Sequence, residues 1–282
     1  MEIKATEVKA LRDKTGAGMM DCKKALQDAQ GDLQKAERIL KELGLAAAAK
    51  RAGREAKQGR IFSRIAQERG VLLELACETD FVAKAKEFAD LGRKLAELAL
   101  QKGASARLED FDGQIKDAIG IIKENIELRR FKVLEAGPTD LLLDYIHGEE
   151  GRIGVLVKFG LSKADLKEDP RVRQIAFDLT LHAAAFAPMF LSRDRVPAGY
   201  LAEQEAIFRK QAESLGKPEN VLKGITQGKL AKHLAEICFL EQAFVKDPNL
   251  KVSKVLEALN KETGGRIAIS DYLYYKVGEE VS

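Results

Sequence analysis

An acid and a large aromatic stand side by side in the segment Thr79-Asp80-Phe81-Val82, between an apolar run and a helix-forming stretch. A carboxylate can move protons or face a cation, and an exposed phenyl ring can fill a pocket on another molecule. The preceding run, Val71-Leu72-Leu73-Glu74-Leu75-Ala76-Cys77, reads as a strand, and a helix is expected from about Val82 through residues 83–100. One reading is purely local: Thr79 or Asp80 caps the helix by accepting a free backbone N–H, and Phe81 closes a hydrophobic staple. The other is that the corner turns Asp80 and Phe81 outward, as a charge and a wedge for a partner. The two differ in where they place the phenyl ring.

Other residues that could do chemistry form no set. The three histidines, His147, His182 and His233, lack metal-ligand spacing and have no nucleophile elbow to serve. His182, in Leu181-His182-Ala183-Ala184-Ala185, reads as a helix histidine with satisfied hydrogen bonds. Cys22, Cys77 and Cys238 are far apart and odd in number, which argues against a disulfide framework or a zinc site and suits a reducing cytosol. Neither Gly16-Ala17-Gly18 nor Gly151-Arg152-Ile153-Gly154 makes a phosphate-cradling loop after a strand. Asp110 and Asp112 read as turn and cap residues. No catalytic constellation and no cofactor are expected, and the chain reads as a binding protein.

The elements that must position the corner are legible in outline. Residues 1–44 read as three short helices: one with Thr6 as N-cap, one from about Met20 to Ala29, and one capped by Asp32 and closed by Gly44. The stretch 45–60 is Ala-rich and basic, with Lys50, Arg51, Arg54, Lys57 and Arg60 against Glu55, and reads as a helical linker. Beyond it the same order occurs twice. A hairpin turning at Glu68-Arg69-Gly70, helices to about residue 124 and a strand over 125–135 make the first copy. A hairpin turning at Gly148-Glu149-Glu150-Gly151, a long helical region and a strand over 266–277 make the second. Each copy implies a small three-stranded antiparallel sheet covered by helices, class α+β. Within the second, residues 200–214 and 218–238 form an antiparallel helical hairpin, with Pro218 in the first turn of its second helix. Its apolar stripes (Leu201, Phe208, Ala212 and Leu215; Leu222, Ile225, Leu230, Leu234 and Ile237) pack the two helices together or also meet a second copy or a partner.

Bulk properties narrow the class of partner. The chain has 282 residues, and 47 Lys plus Arg against 44 Asp plus Glu leave +3, which demands no polyanion. The basic linker is the ground for an alternative RNA-binding reading, but it has no aromatic platform, and such runs are usually solvated faces. An enzyme with an unrecognised site is a third reading, against which the missing constellations count. No apolar run approaches the ~20 residues of a membrane span, and the start, MEIKATEVKALRDK, lacks the apolar core of a leader peptide.

Ordered blocks carry a resemblance across the chain. LRDKTGAGMMDCKKALQDAQGD (11–32) and Thr79-Asp80-Phe81-Val82 resemble the two signatures of the bacterial translation elongation factor Ts family. The likeness continues at Glu124-Asn125-Ile126, Arg129-Arg130, Tyr145-Ile146-His147-Gly148, Arg152 to Val157, and Glu241-Gln242-Ala243-Phe244-Val245-Lys246-Asp247-Pro248. It implies a ubiquitin-associated-like three-helix bundle with the basic linker over residues 1–54, and a first core subdomain with the corner over 55–140. It further implies a second subdomain beginning at 141–198, interrupted by a coiled-coil hairpin at 199–238 and completed with a C-terminal module at 239–282. By the same resemblance the chain is a cytoplasmic guanine-nucleotide exchange factor for the GTPase elongation factor Tu, and binds neither nucleotide nor metal itself. Asp80 and Phe81, flanked by Thr79 and Val82, match the residues that intrude beside the partner's magnesium and phosphates. His147 matches a second intruding side chain, and Arg12, Met19 and Met20 match the surface of the bundle that docks on the partner. Self-association, or a two-to-two complex through the hairpin, is the least transferable implication, because the family varies most there.

Overall fold

A computed structural model describes residues 3–280, and the chain divides into two compact units. The first comprises residues up to Glu135, Ile146–Gly154 and the chain from Tyr275. Its elements are α1 (Ala5–Thr15), α2 (Met19–Asp28), α3 (Leu33–Arg51), β1 (Gln58–Ala66), β2 (Arg69–Cys77), α4 (Asp80–Lys84), α5 (Lys86–Lys102), α6 (Asp112–Ile122) and β3 (Ile126–Glu135). The second, Ala136–Tyr145 and Val155–Tyr274, is built on β4 (Asp140–His147), β5 (Ile153–Leu161), α7 (Pro170–Phe186), α8 (Ala198–Glu213), α9 (Glu219–Ile237), β6 (Ala243–Phe244), β7 (Asp247–Lys251), α10 (Val252–Thr263) and β8 (Ile267–Lys276). The α+β class holds, with two three-stranded sheets in orders β1-β2-β3 and β4-β5-β8. The small β6-β7 ladder has no counterpart in the sequence reading.

In the first unit α1 to α3 close a small core of Val8, Leu11, Cys22, Ala25, Leu26, Ala29 and Ala36. Asp32 caps α3, accepting the Lys35 N–H at 3.0 Å. Thr6, by contrast, lies inside α1; the Glu7 carboxylate accepts the Lys4 N–H at 3.0 Å and does the capping work expected of it. Nor does Gly44 close α3, which runs on to Arg51 through Leu45 and four alanines, the strongest helix formers. Gly44 instead faces a glycine of another helix, and it is that glycine the crossing requires. A Cβ placed on Gly120 of α6 would lie 2.8 Å from the Gly44 Cα, so the two helices cross with backbone nearly touching backbone. Gly120→Ala is therefore expected to destabilise by about 1–3 kcal/mol, because the overpacking outweighs the ~0.5–1 kcal/mol that alanine gains in a helix. Gly44→Ala meets only an ordinary contact at 3.5 Å and is expected to be neutral or slightly stabilising. Urea midpoints of the two variants check this; equal effects would contradict it.

The sheet of the first unit is antiparallel with β2 in the middle. Ala66 pairs with Arg69, so the hairpin turns at Gln67-Glu68, with Gln67 in the left-handed region, and not at Glu68-Arg69-Gly70. Alternation along β2 puts Val71, Leu73, Leu75 and Cys77 on the face that packs with Phe88, Leu95 and Ala99 of α5 and with Phe111. The intervening Glu74 is fully buried and carries a charge into the sheet. Arg130, its cross-strand neighbour, donates from Nε to Glu74 Oε2 at 2.7 Å, and the Gly278 N–H reaches Oε1 at 2.9 Å. The Arg130 guanidinium also lies 4.3 Å from the centre of the Tyr275 ring.

In the second unit α8 and α9 pair through Ala212, Leu222, Thr226 and Leu234, while Leu215, expected in the stripe, is exposed. Pro218 stands at the N-cap of α9, one position before its first turn. His182, fully buried on α7, has both ring nitrogens satisfied as expected. Nε2 bonds Gln242 Oε1 at 2.9 Å and Nδ1 accepts the Val245 N–H at 3.1 Å, an arrangement that suits the neutral ring with its proton on Nε2. The ring stacks on Phe186 and Phe239 at 4.6 and 5.5 Å. Burial pulls its pKa below the ordinary 6.5, against the opposing pull of Gln242. An unfolded chain takes up this proton as pH falls below about 6.5 while the folded one resists. The stabilising contribution is thus complete above about 6.5 and is lost as pH falls toward the folded value, by at most ~1.4 kcal/mol per pH unit. His182→Gln is expected to flatten the decline of the urea midpoint over that window; an unchanged slope would contradict it.

Candidate functional site

The corner between β2 and α4 is shaped by a cap and a break. Thr79, in extended conformation, accepts the Val82 N–H on its hydroxyl at 3.3 Å, so Thr79 rather than Asp80 caps the helix. The helix then lasts only five residues: Ala85 returns to extended backbone (φ −69°, ψ 147°) and α5 starts anew at Lys86. The break matters for Phe81. In one unbroken helix Phe81 and Phe88 are seven residues apart, within about 20° of the same face, and Phe81 would follow Phe88 toward the core. With the break, Phe88 is fully buried, Ala83 faces inward, and Phe81 is 82% exposed. A staple is ruled out by that exposure.

Asp80 is exposed beside it and has a cation of its own. The Lys84 ammonium lies 3.5 Å from Asp80 Oδ2 and 3.1 Å from Glu150 Oε1, and both acids raise its pKa, Glu150 the more. Glu150 belongs to the turn after β4, which is docked on the first strand: the Ile61 N–H donates to Gly151 O at 2.7 Å and Arg60 Nη2 to Glu149 O at 3.1 Å. An open cavity of about 390 Å³ lies among Gln58, Gly59, Asp80, Ala83, Lys84, Glu150 and Arg152. His147, which opens this turn, is exposed and falls in the same unit as Phe81. Val82 is half-buried against the core. Arg12, Met19 and Met20 are exposed on α1 and α2, Met20 at 74%.

Two residues of the corner were not assigned a role from sequence. Glu124 accepts the N–H groups of Glu78 and Thr79 at 3.1 and 3.0 Å and the Thr79 hydroxyl at 2.6 Å, and Glu78 in return accepts the Asn125 N–H at 2.6 Å. Such reciprocal side chain-to-backbone bonds, 47 residues apart for Glu78 and Asn125, leave no local pattern to read. The Cys77 thiol behind the corner donates to Thr79 O at 3.2 Å, and burial pushes its pKa up to about 12. It is held as a thiol and is no nucleophile. Among the described residues no group of three or more His, Cys, Asp or Glu could hold a metal ion, and no helix is long and apolar enough to cross a membrane.

Most cations of the basic stretch are engaged within the chain. Arg51 donates to Lys123 O at 2.8 Å, Arg54 approaches Glu78 at 3.6 Å, Lys57 pairs with Glu55 at 2.6 Å and Arg60 holds Glu149 O. All but the Lys57–Glu55 pair join separate segments of the first unit, which weakens the RNA-binding alternative.

The comparisons with known proteins agree with one another. A family model described as Elongation factor TS matches residues 78–279, from the corner to the last strand and beyond. The chain is 45% identical over 278 residues to Elongation factor Ts of Treponema denticola, covering 99% of each chain. It is 45% identical over 278 residues to that of Borrelia hermsii, covering 99% of this chain and all of the relative. With the Borreliella burgdorferi protein it shares 41% over 276 residues, 98% of this chain and 99% of the relative. With a family model over most of the chain and relatives of matching length, the chain belongs to the elongation factor Ts family.

Proposed function

We propose that this chain is a guanine-nucleotide exchange factor for an elongation factor Tu-type GTPase of the cytoplasm, acting in the elongation stage of protein synthesis. It makes and breaks no covalent bond. Asp80 and Phe81, set by Thr79 and Val82, enter beside the partner's magnesium and phosphates, and His147 enters a second pocket. Arg12, Met19 and Met20 of the N-terminal helices, the latter two adaptable thioethers, dock on the partner's nucleotide domain. Neither nucleotide nor metal is bound by the chain itself. The helical hairpin reaches the partner or a second copy.

The observation that carries this reading is the exposure of Phe81 on a capped turn. A free phenyl group in water is unfavourable, and its burial on a partner is worth ~1.5–3 kcal/mol. Free energy of binding to the emptied GTPase is what drives the partner's site open. GTP re-entry reverses the same linkage and expels the chain, so one copy serves many partners. Release of a fluorescent GDP from a purified Tu-type GTPase tests the proposal. Substoichiometric chain is expected to speed release many-fold with excess GTP present; a release rate indifferent to the chain would refute it.

A further inference from the structure

The exposed corner is braced from behind by the carboxylate of Glu124. Glu124, in the loop between α6 and β3, takes the N–H groups of Glu78 and Thr79 on Oε2 and the Thr79 hydroxyl on Oε1. A hydroxyl has one proton to give. Given to Glu124, it leaves a lone pair of the Thr79 oxygen for the Val82 N–H, so the carboxylate sets the direction in which the cap oxygen points. The brace is itself anchored. Lys123 O accepts from Arg51 of α3, the Lys123 ammonium pairs with Asp21 of α2 at 3.1 Å, and Asn125 Nδ2 donates to Arg54 O at 2.7 Å. Helix α4 has only five residues and buries only Ala83 in full, so it has little packing of its own to hold it.

We propose that Glu124 is the positioning residue of the exchange corner: by orienting the Thr79 cap it holds the α4 turn in the one attitude that projects Phe81. This rests on the exchange reading above and assigns within it a residue that never touches the GTPase. A flexible corner would lose entropy on entering the partner, and the brace removes that loss in advance.

Two arms test it. In the first, Glu124→Gln is expected to lower the saturated rate of GDP release roughly tenfold, the size of one charge-assisted hydrogen bond. The same change in a Phe81→Ala background is expected to do less than about twofold, because there is no longer a wedge to position. Equal losses in both backgrounds, or no loss in either, would overturn the proposal. The second arm needs no partner. The chain has no tryptophan and five tyrosines, so Phe81→Trp supplies a single tryptophan at the corner that can be excited beyond the tyrosine absorption edge, and adding Glu124→Gln is expected to lower its fluorescence anisotropy. Anisotropy that stays put would overturn the brace even if exchange is confirmed. If the unsubstituted chain released no GDP, the exchange reading would fall while this arm still judged the brace. Thr79→Val removes the same link from its other end, is expected to reproduce the loss of anisotropy, and serves should Glu124→Gln fold poorly.

Discussion

Phe81→Ala is expected to slow GDP release from a Tu-type GTPase by about 10–100-fold while leaving the fold of this chain intact. The magnitude follows from the ~1.5–3 kcal/mol of burying a phenyl side chain, at tenfold per ~1.4 kcal/mol. The intact fold follows from the exposure of the ring: at 82% exposed it packs against almost nothing in its own chain, and surface changes of that kind usually stay within about 0.5 kcal/mol. The two halves of the expectation separate a wedge from a core residue. An unfolding free energy lowered by several kcal/mol in urea titration would mean that Phe81 supports the chain itself. A normal midpoint with normal release would mean that the ring is idle. Asp80→Ala removes charge from the same corner but also frees Lys84 from one of its two acids, so its effect mixes two causes and is the weaker test.

Arg130→Met is expected to cost about 3–5 kcal/mol of stability, more than the overpacking at Gly120. Glu74 is wholly buried, and Arg130 supplies its closest cation at 2.7 Å. Arg129 stands 3.8 Å off Glu74 Oε1 and would recover only part of the loss. Arg130 further donates to Lys276 O at 3.0 Å and lies over the Tyr275 ring, so its removal also loosens the chain after β8 within the first unit. The cost comes mainly from stranding a carboxylate in a dry sheet, and so it should shrink when the carboxylate goes too. The double variant Glu74→Met/Arg130→Met is expected to be more stable than Arg130→Met alone. Denaturation midpoints of the two decide the matter; a double variant no better than the single would place the value of Arg130 in its packing instead.

Much of this architecture could be read from residue patterns because local chemistry and global fold agree there. The apolar run Val71 to Cys77 set a strand, Asp32 followed by an apolar helical stripe set a helix start, and two hairpin–helix–strand runs set two small sheets. At one point where the reading failed, a distant contact had overruled a local preference. Gly44 looked like a stop, yet it is the smallest side of a helix crossing with Gly120, a partner 76 positions away in sequence. Ala85, with the best helix propensity of all, is where the helix breaks, and only that break turns Phe81 outward. Thr79 as a cap was legible, but Glu124, which orients the cap, was seen only as part of a matching block. Its bonds span 45 and 46 positions and follow no periodicity. The site was thus visible as a corner with the right residues, and invisible as a braced device.

Exchange by this route requires reciprocity between the chain and GDP on the partner. The most direct measurement is the affinity of the chain for the Tu-type GTPase in nucleotide-free and GDP-loaded form, by titration calorimetry under one buffer with magnesium present. Tighter binding to the empty form is expected, by the same factor by which the chain weakens GDP, and the ratio is expected to shrink with Phe81→Ala. Equal affinity for both forms would mean that no binding energy is directed against the nucleotide, and the exchange mechanism would be contradicted.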